Sequence, residues 1–274
     1  MGFKNSFHPY AAVTILFWSL AYVFTRLALN YFSPFSLGFL RYLIASCALG
    51  VAAAVTRMKP PAAKDVPWFV LSGCAGFFLY IIAFNLGQAT VTAATGSVVI
   101  ATVPVITALL ASLVYRERLS AIQWAAIPIE FAGVAVLALS GDSLSVNEGL
   151  LWLLLAALLL SAYNLIQRKL TRTYSALQSS TYSIFFGTLL LAVFAPGSFR
   201  EASRAPAPAF LYLAVMGVFS SAVSYAAWSK AFAKADKTSH VSNYMFITPF
   251  LTSILGFLIA REVPDPSTLL GGGI

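Results

Sequence analysis

Aromatic and polar side chains in the middle of long apolar stretches are the residues of this sequence best suited to bind a small molecule. Residues spaced i, i+3 or i+4 share one face of a helix, so Trp18 with Tyr22 and Tyr80 with Phe84 each form one patch. Polar groups inside an apolar layer are costly and face a bundle interior or a water-filled cavity. We therefore predict that these patches line a central cavity, where aromatic faces pack an apolar group or hold a cation.

The full set of candidate binding residues follows from one criterion, a polar or aromatic side chain near the middle of an apolar run. The set comprises Trp18, Ser19, Tyr22, Tyr80, Phe84, Asn85, Tyr163, Asn164, Gln167, Tyr225, Trp228, Asn243 and Tyr244. Each side chain has an alternative role, either in helix packing or in the belts of Trp and Tyr at a membrane surface.

Four further residues inside apolar runs are candidates for a mechanical or electrostatic role. Pro104 and Pro249 each remove a backbone hydrogen bond in mid-helix, which makes them candidate hinges, with static kinks as the alternative. Glu130 is the one acid clearly inside a run, and it could couple transport to protons or form a structural ion pair. Arg41 could attract a carboxylate, but we expect it to hold the start of its helix through a salt bridge.

Residue patterns typical of catalysis are missing from the sequence. The acids are scattered, His8 and His240 lie near helix ends, and Cys47 and Cys74 sit inside apolar runs. The sequence contains no cluster spaced for metal ligation and no paired carboxylates at depth. Every lysine falls in a terminal or loop segment, which argues against a retinal protein. We therefore expect neither enzymatic activity nor a metal or cofactor.

Composition indicates that membrane-spanning helices position these residues. Of the 274 residues, 59% are hydrophobic and 9% are charged, whereas a soluble domain has about 25% charged residues. One span needs about 20 apolar residues. Apolar runs fall near 9–31, 35–56, 68–88, 95–115, 121–140, 149–167, 176–196, 208–229 and 241–260. A tenth begins near Pro266 and stops at Ile274, so we expect an all-α integral membrane protein of ten helices, the last one truncated.

The distribution of basic residues predicts the orientation in the membrane. Segments on the side of the N-terminus carry twelve of the seventeen Lys and Arg residues, whereas the opposite segments carry only Arg200, Arg204 and Arg261. Arg26 and Arg41 lie within runs. Cytoplasmic loops collect Lys and Arg, so we expect a multi-pass protein of the inner (plasma) membrane with a cytoplasmic N-terminus. The basic excess then faces lipid and cytoplasm, and we expect no nucleic-acid partner.

An internal repeat divides the chain into two units, residues 1–140 and 146–274. A shift of 145 residues pairs Ser97 with Ser242, Pro104 with Pro249, Thr107 with Thr252, Leu110 with Leu255, Leu113 with Leu258, and Arg116-Glu117 with Arg261-Glu262. Each unit has five runs, and because five is odd the second unit must enter the membrane from the opposite side. Inverted repeats recur in secondary transporters, with the substrate site at the midplane between the halves. Because both units lie within one chain, a monomer can form the complete fold and a dimer is not required.

The order and spacing of several markers resemble the EamA domain of the drug/metabolite transporter superfamily. The markers are Trp18-Ser19 in the first run, Pro34 and Arg41 around the second, Pro104 in the fourth, Glu117 thirteen residues later, and Gly133 in the fifth. The second copy keeps Pro249 and Glu262 but has Phe186 where the first has Arg41.

The resemblance implies an exporter of amino acids, aromatic and other neutral ones, and related metabolites, working by alternating access. Under this hypothesis the Asn, Gln and Tyr side chains meet the amino and carboxylate groups of the substrate. A multidrug or nucleotide-sugar-like carrier of the same superfamily is the alternative, and a channel is a third. By the resemblance, a small multidrug exporter would have an acidic residue in its first helix, and the first run has none. A nucleotide-sugar carrier would need several basic groups near the cavity, and only Arg41 is available.

Overall fold

The computed structural model describes residues 6–116, 119, 121–139, 147–234, 241 and 243–273. Over these residues the chain is helical and contains no β-strand. Its ten helical segments are α1 (His8–Ala28), α2 (Pro34–Val55), α3 (Ala63–Gln88), α4 (Ala93–Tyr115), α5 (Ala121–Leu139), α6 (Glu148–Leu170), α7 (Ala176–Ala202), α8 (207–234), α9 (243–260) and α10 (Pro266–Gly273).

Seven of these segments, α1 to α4 and α6 to α8, are long and apolar enough to cross a membrane, counted over the described residues. Segments α5 and α9 contain the shorter apolar helices Trp124–Val136 and Tyr244–Ala260. The chain is therefore an all-helical, multi-pass membrane protein. Segment α1 ends three residues earlier than its apolar run, because the following residues turn into α2, where Ser33 caps the first turn and Pro34 takes the first helical position.

Segments α3 and α8 each contain a π-helical stretch, in which hydrogen bonds reach one residue further than in an α-helix. The stretches are Cys74–Leu79 in α3 and Val215–Val223 in α8. A shift of 145 residues places the first over residues 219–224, so the two stretches overlap. A tyrosine follows each stretch, Tyr80 directly after the first and Tyr225 two residues after the second.

Segments α4 and α9 are both interrupted at corresponding places. In α4 the helix Ala93–Ile100 gives way to Val103–Tyr115 after a two-residue break, and in α9 the 3₁₀ turn Asn243–Ile247 precedes Thr248–Leu255. Pro104 and Pro249 are each the second residue of the new helix, not mid-helix residues as the sequence predicts, and at this position a missing N–H leaves little unsatisfied. The segments end at Arg116 and Arg261, whose φ angles of 55° and 57° are left-handed.

Contacts along the helices define their relative directions. Tyr22 of α1 contacts Phe84 of α3, and Arg26, one turn on, donates to the carbonyl oxygen of Gln88, so α1 and α3 run parallel. Gln167 near the end of α6 contacts Ser72 near the start of α3, whereas the other end of α6 meets Gly87. Segment α6 therefore runs antiparallel to α3 and to α1.

Segments α3, α6 and α7 meet in a polar seam, formed by Ser72, Gly73, Gly76, Gln167, Ser179, Ser183 and Gly187. A Cβ atom on Gly73 would lie 2.7 Å from both the Gly187 nitrogen and the Ser183 carbonyl oxygen, so the backbones touch here. Small residues allow such close approach between helices in lipid. The seam consequently holds the three helices together.

One salt bridge closes the end of the bundle where α1, α3 and α9 finish. Arg26 Nε lies 3.3 Å from Glu262 Oε1, and Arg26 also donates to the carbonyl oxygens of Gln88 and Ala89. The second oxygen of Glu262 accepts from the Ala93 N–H at the start of α4. Four segments are thus tied together at this end.

A second tie joins loops at the opposite end of α3. Tyr174, in the connection between α6 and α7, donates to Asp65 Oδ2 over 2.6 Å and accepts from the Ala62 N–H. The bond to the Asp65 carboxylate raises the pKa of the Tyr174 phenol, because losing the proton would place two negative charges together.

Candidate functional site

A central cavity lies among α1, α2, α3, α4, α6, α8 and α9. In this conformation its volume is about 40 Å³, which is room for no more than a few water molecules. Among the described residues its lining consists of Trp18, Ala21, Tyr22, Arg41, Tyr80, Phe84, Ser97, Ile100, Ala101, Leu160, Tyr225, Met245 and Thr248. Two pairs in this lining, Tyr80 with Tyr225 and Ile100 with Met245, are 145 residues apart.

Aromatic rings form most of the cavity wall. The Trp18 ring lies 5.5 Å from Tyr225 in an edge-on arrangement, and the Tyr22 ring lies 5.3 Å from Phe84 in the same way. Tyr80 stacks on Phe84 with 5.7 Å between ring centroids. These separations are typical of favourable aromatic pairs. The wall is therefore a preformed apolar surface with hydroxyl groups at its edge.

Local helix geometry explains how these rings reach the cavity. Tyr80 follows the π-helical stretch of α3 directly, Tyr225 comes two residues after that of α8, and the break in α4 places Ile100 and Ala101 beside the cavity. Ser97 and Ala101 are small, so α4 leaves space where a large side chain would fill it. Thr248, at the corresponding break of α9, lines the same cavity.

Arg41 is the one cation that lines this cavity among the described residues. Its side chain is 5% exposed, and its Nε donates to Ser221 Oγ over 2.9 Å. Its guanidinium also lies 5.5 Å from the Tyr42 ring centroid. Among the described residues no carboxylate lies within salt-bridge distance of Arg41. Our expectation of a salt bridge at the start of α2 is therefore not met there, and a serine hydroxyl holds the side chain instead.

Five of the predicted binding residues line the cavity: Trp18, Tyr22, Tyr80, Phe84 and Tyr225. Two other predicted aromatics pack just behind this wall. The Trp228 ring lies 5.1 Å from Trp18, and the Tyr163 ring lies 5.1 Å from Phe77 and close over Gly76. The second layer fixes the rings in front of it.

The predicted amides bond to other helices rather than lining the cavity in this structure. Asn85 donates to the Pro34 carbonyl oxygen over 2.8 Å, and Asn164 donates to Thr107 Oγ1 over 3.3 Å. Gln167 donates to Ser72 and Ser183 and accepts from Ser179 within the polar seam. Because these hydrogen bonds join different helices, the three amide side chains contribute to helix association in this structure.

The remaining predicted residues lie outside the cavity lining or outside the described side chains. Ser19 is fully buried, and Tyr244 contacts His8 Nδ1 through its hydroxyl over 2.6 Å at the start of α1. The side chains of Asn243 and Glu130 are outside the described part of the chain. Their predicted roles in binding and coupling therefore stay predictions.

The cavity also contains residues that the sequence did not single out. Leu160, Met245, Ala21 and Ile100 are apolar, and nothing distinguishes them from lipid-facing residues in a hydropathy pattern. One sequence signal could have identified Met245 and Ile100, because the 145-residue shift pairs them with each other. Thr248 adjoins Pro249, which the sequence did mark.

The structure is thus a bundle of membrane-length helices around an aromatic cavity, in which Arg41 is the one cation among the described lining residues. The chain belongs to the EamA-like transporter family, whose model matches residues 7–139 and again residues 147–274. It is therefore a transporter of the drug/metabolite transporter superfamily, as the sequence resemblance predicts.

Two relatives match nearly the whole chain. The uncharacterized transporter YdfC of Bacillus subtilis is 33% identical over 261 residues, covering 93% of this chain and 83% of the relative. A probable terminal-alkyne amino-acid exporter of Streptantibioticus cattleyicolor is 28% identical over 262 residues, covering 96% and 88%.

A further relative matches a smaller part of the chain, and one solved structure has a similar fold. An S-adenosylmethionine uptake transporter of Rickettsia prowazekii is 26% identical over 207 residues, covering 75% of this chain and 67% of the relative. A protein crystal structure superimposes with a TM-score of 0.62 at 19% identity, covering 96% of this chain and 93% of the other. This last likeness shows the fold alone.

Proposed function

We propose that this protein exports amino acids, aromatic and other neutral ones, and related metabolites by alternating access through the central cavity. The observation that carries the proposal is the cavity itself. It lies between the two matched halves and is walled by aromatic rings at repeat-related positions, Tyr80 and Tyr225. An amino-acid side chain packs on such rings, while hydroxyl groups at the edge meet its polar end.

Alternating access follows if the halves are inverted copies, and several features support that arrangement. Segments α1 and α6 correspond by the 145-residue shift yet run antiparallel. The π-helical stretches, the helix starts at Val103 and Thr248, and the left-handed Arg116 and Arg261 recur at matched places. Two similar halves can exchange conformations, which opens one face of the cavity while closing the other.

The rest of the topology belongs to the same proposal. We infer that α5, α9 and α10 complete ten spans, and that residues 1–140 and 146–274 form the two units. The matched family ranges support this division. The excess of Lys and Arg on the side of the N-terminus supports a cytoplasmic N-terminus in the inner membrane.

One relative supports amino acids as the cargo. A relative covering 96% of this chain is named as a probable amino-acid exporter. A nucleotide-sugar-like carrier needs several cations for its phosphates, whereas Arg41 is the one cation among the described lining residues. A multidrug carrier for organic cations is disfavoured by the same positive charge in the cavity.

Uptake into liposomes containing the purified protein tests the proposal. The panel contains amino acids, nucleosides and cationic drugs, each with and without a pH gradient. We expect saturable uptake of aromatic and neutral amino acids that exceeds uptake of the other two classes. Preference for nucleosides or drug cations, or flux without saturation, would contradict it.

The pH-gradient arm also tests the predicted role of Glu130. If Glu130 couples transport to protons, Glu130→Gln abolishes the response to the gradient while uptake down a substrate gradient persists. A gradient response equal to that of the unmodified protein assigns Glu130 a structural role instead.

A further inference from the structure

Arg41 places a buried positive charge in the cavity that described protein groups leave without a countercharge. The described carboxylates, Asp65, Glu148, Glu201, Glu262 and Asp265, all lie at helix ends. Segment α5 packs mainly against α10 and α4. An unpaired buried charge is strongly destabilising, so such groups in membrane proteins mark ligand or ion pathways.

Tyrosine side chains share the cavity with Arg41 and leave its charge unneutralised. Its guanidinium lies 5.5 Å from the Tyr42 ring centroid. Tyr22, Tyr80 and Tyr225 line the same cavity. Neutral hydroxyl groups can accept hydrogen bonds from a guanidinium, but they leave the site with a charge of +1.

The hydrogen bond to Ser221 occupies one edge of the Arg41 guanidinium group. It uses Nε, and among the described residues no hydrogen-bond acceptor is bound to the two Nη groups. Two Nη groups present a planar pair of donors that matches the two oxygens of a carboxylate. Ser221 lies in the π-helical stretch of α8, so the other half of the molecule positions this edge.

We propose that Arg41 binds the carboxylate of the transported molecule, and that the site therefore selects small organic acids with an apolar or aromatic body. The proposal rests on the transport function proposed above and specifies its substrate class. The position corresponding to Arg41 in the second half is Phe186, so the cavity contains one such anchor. A single guanidinium suits one carboxylate, and the rings of Trp18, Tyr22 and Phe84 receive the body.

Three compounds that share a phenyl group test the proposal in liposomes with the unmodified protein. L-Phenylalanine carries both charged groups, 3-phenylpropionate carries only the carboxylate, and phenethylamine carries only the ammonium. We expect 3-phenylpropionate to compete with labelled phenylalanine and phenethylamine to compete at least tenfold less well. Equal competition by phenethylamine would contradict the proposal that Arg41 binds the carboxylate, without contradicting the proposed transport of amino acids. Absence of saturable phenylalanine uptake would instead count against the proposed function.

Variants of Arg41 provide the second test. Arg41→Gln removes the charge, and we expect the KM for phenylalanine to rise about 10- to 100-fold, as for loss of one charge-assisted hydrogen-bonded contact. Arg41→Lys keeps the charge but loses the planar pair of donors, so an intermediate KM is expected. Arg172→Gln, which removes an exposed loop charge, is the control and should leave the KM unchanged.

A binding measurement keeps the test decisive if a variant transports poorly. 3-Phenylpropionate should raise the unfolding temperature of the detergent-solubilised unmodified protein and of Arg172→Gln, but not that of Arg41→Gln. Equal stabilisation of all three proteins by 3-phenylpropionate overturns the proposal. If Arg41→Gln does not fold, Arg41→Lys and the three-compound comparison decide the matter alone.

Discussion

The central cavity and the polar seam both lie inside the helix bundle, and both contain residues that sequence criteria mark as candidate binding groups. In the cavity, large rings such as Trp18 and Tyr80 pack around a small space of about 40 Å³. In the seam, Gly73 and Gly187 bring backbones into contact, and Gln167 bonds to three serines. The size of the neighbouring residues, rather than polarity, therefore decides whether a polar group faces a cavity or another helix.

The two halves of the molecule also contribute unequally to the cavity. Nine lining residues of the cavity come from the first matched family range and four from the second, among the residues that the structure describes. On α1, Trp18 and Tyr22 face the cavity, whereas the corresponding Tyr163 and Gln167 of α6 pack against α3. At these corresponding positions, α1 contributes to the cavity wall whereas α6 contributes to helix association.

The largest expected effect is a loss of stability on enlarging the seam. Gly73→Ala adds a Cβ within 2.7 Å of two backbone atoms of α7, and backbone cannot yield as a side chain can. We expect a destabilisation of about 3 kcal/mol, the upper part of the range for overpacking. Thermal unfolding in detergent measures it. Gly50→Ala, whose Cβ would meet no atom within 4 Å, is the control, and equal unfolding temperatures would contradict the tight contact.

The next effect concerns the cavity wall. Trp18→Ala removes a ring that lines the cavity, and we expect kcat/KM for phenylalanine uptake to fall about 10- to 100-fold, the amount expected for losing one large apolar contact. The unfolding temperature should change far less than in Gly73→Ala. Trp124→Ala, at an exposed position of α5, is the matched control. Normal uptake by Trp18→Ala would remove this ring from the binding site.

A smaller effect is expected from the hydrogen bonds of the seam. Gln167→Leu leaves the buried hydroxyl groups of Ser72 and Ser183 without this partner, at a cost of about 1–3 kcal/mol. The KM for phenylalanine should stay unchanged, since Gln167 does not line the cavity in this structure. Gln178→Leu, at an exposed hydrogen bond, should cost less. A raised KM with unchanged stability would return Gln167 to the substrate site.

The smallest expected effect tests the hinges. Pro104→Ala and Pro249→Ala restore a backbone donor beside each break, so they should change the maximal uptake rate by roughly two- to fivefold and KM by less. Pro206→Ala, at an exposed loop position before α8, is the control. Rates equal to the control in both variants would assign the two prolines a static role.

Hydropathy and residue spacing alone determined much of this protein: a helical membrane chain, its approximate helix limits, its family, and the aromatic faces of α1 and α3. These properties are local or periodic, so a linear reading detects them. The hydrogen-bond partner of Arg41 and the separation of cavity from seam were decided only in the tertiary structure. Both depend on which side chain stands opposite, such as Gly76 beneath Tyr163 or Ser221 beside Arg41. Opposing residues come from distant parts of the chain, and their volumes determine whether space remains between them.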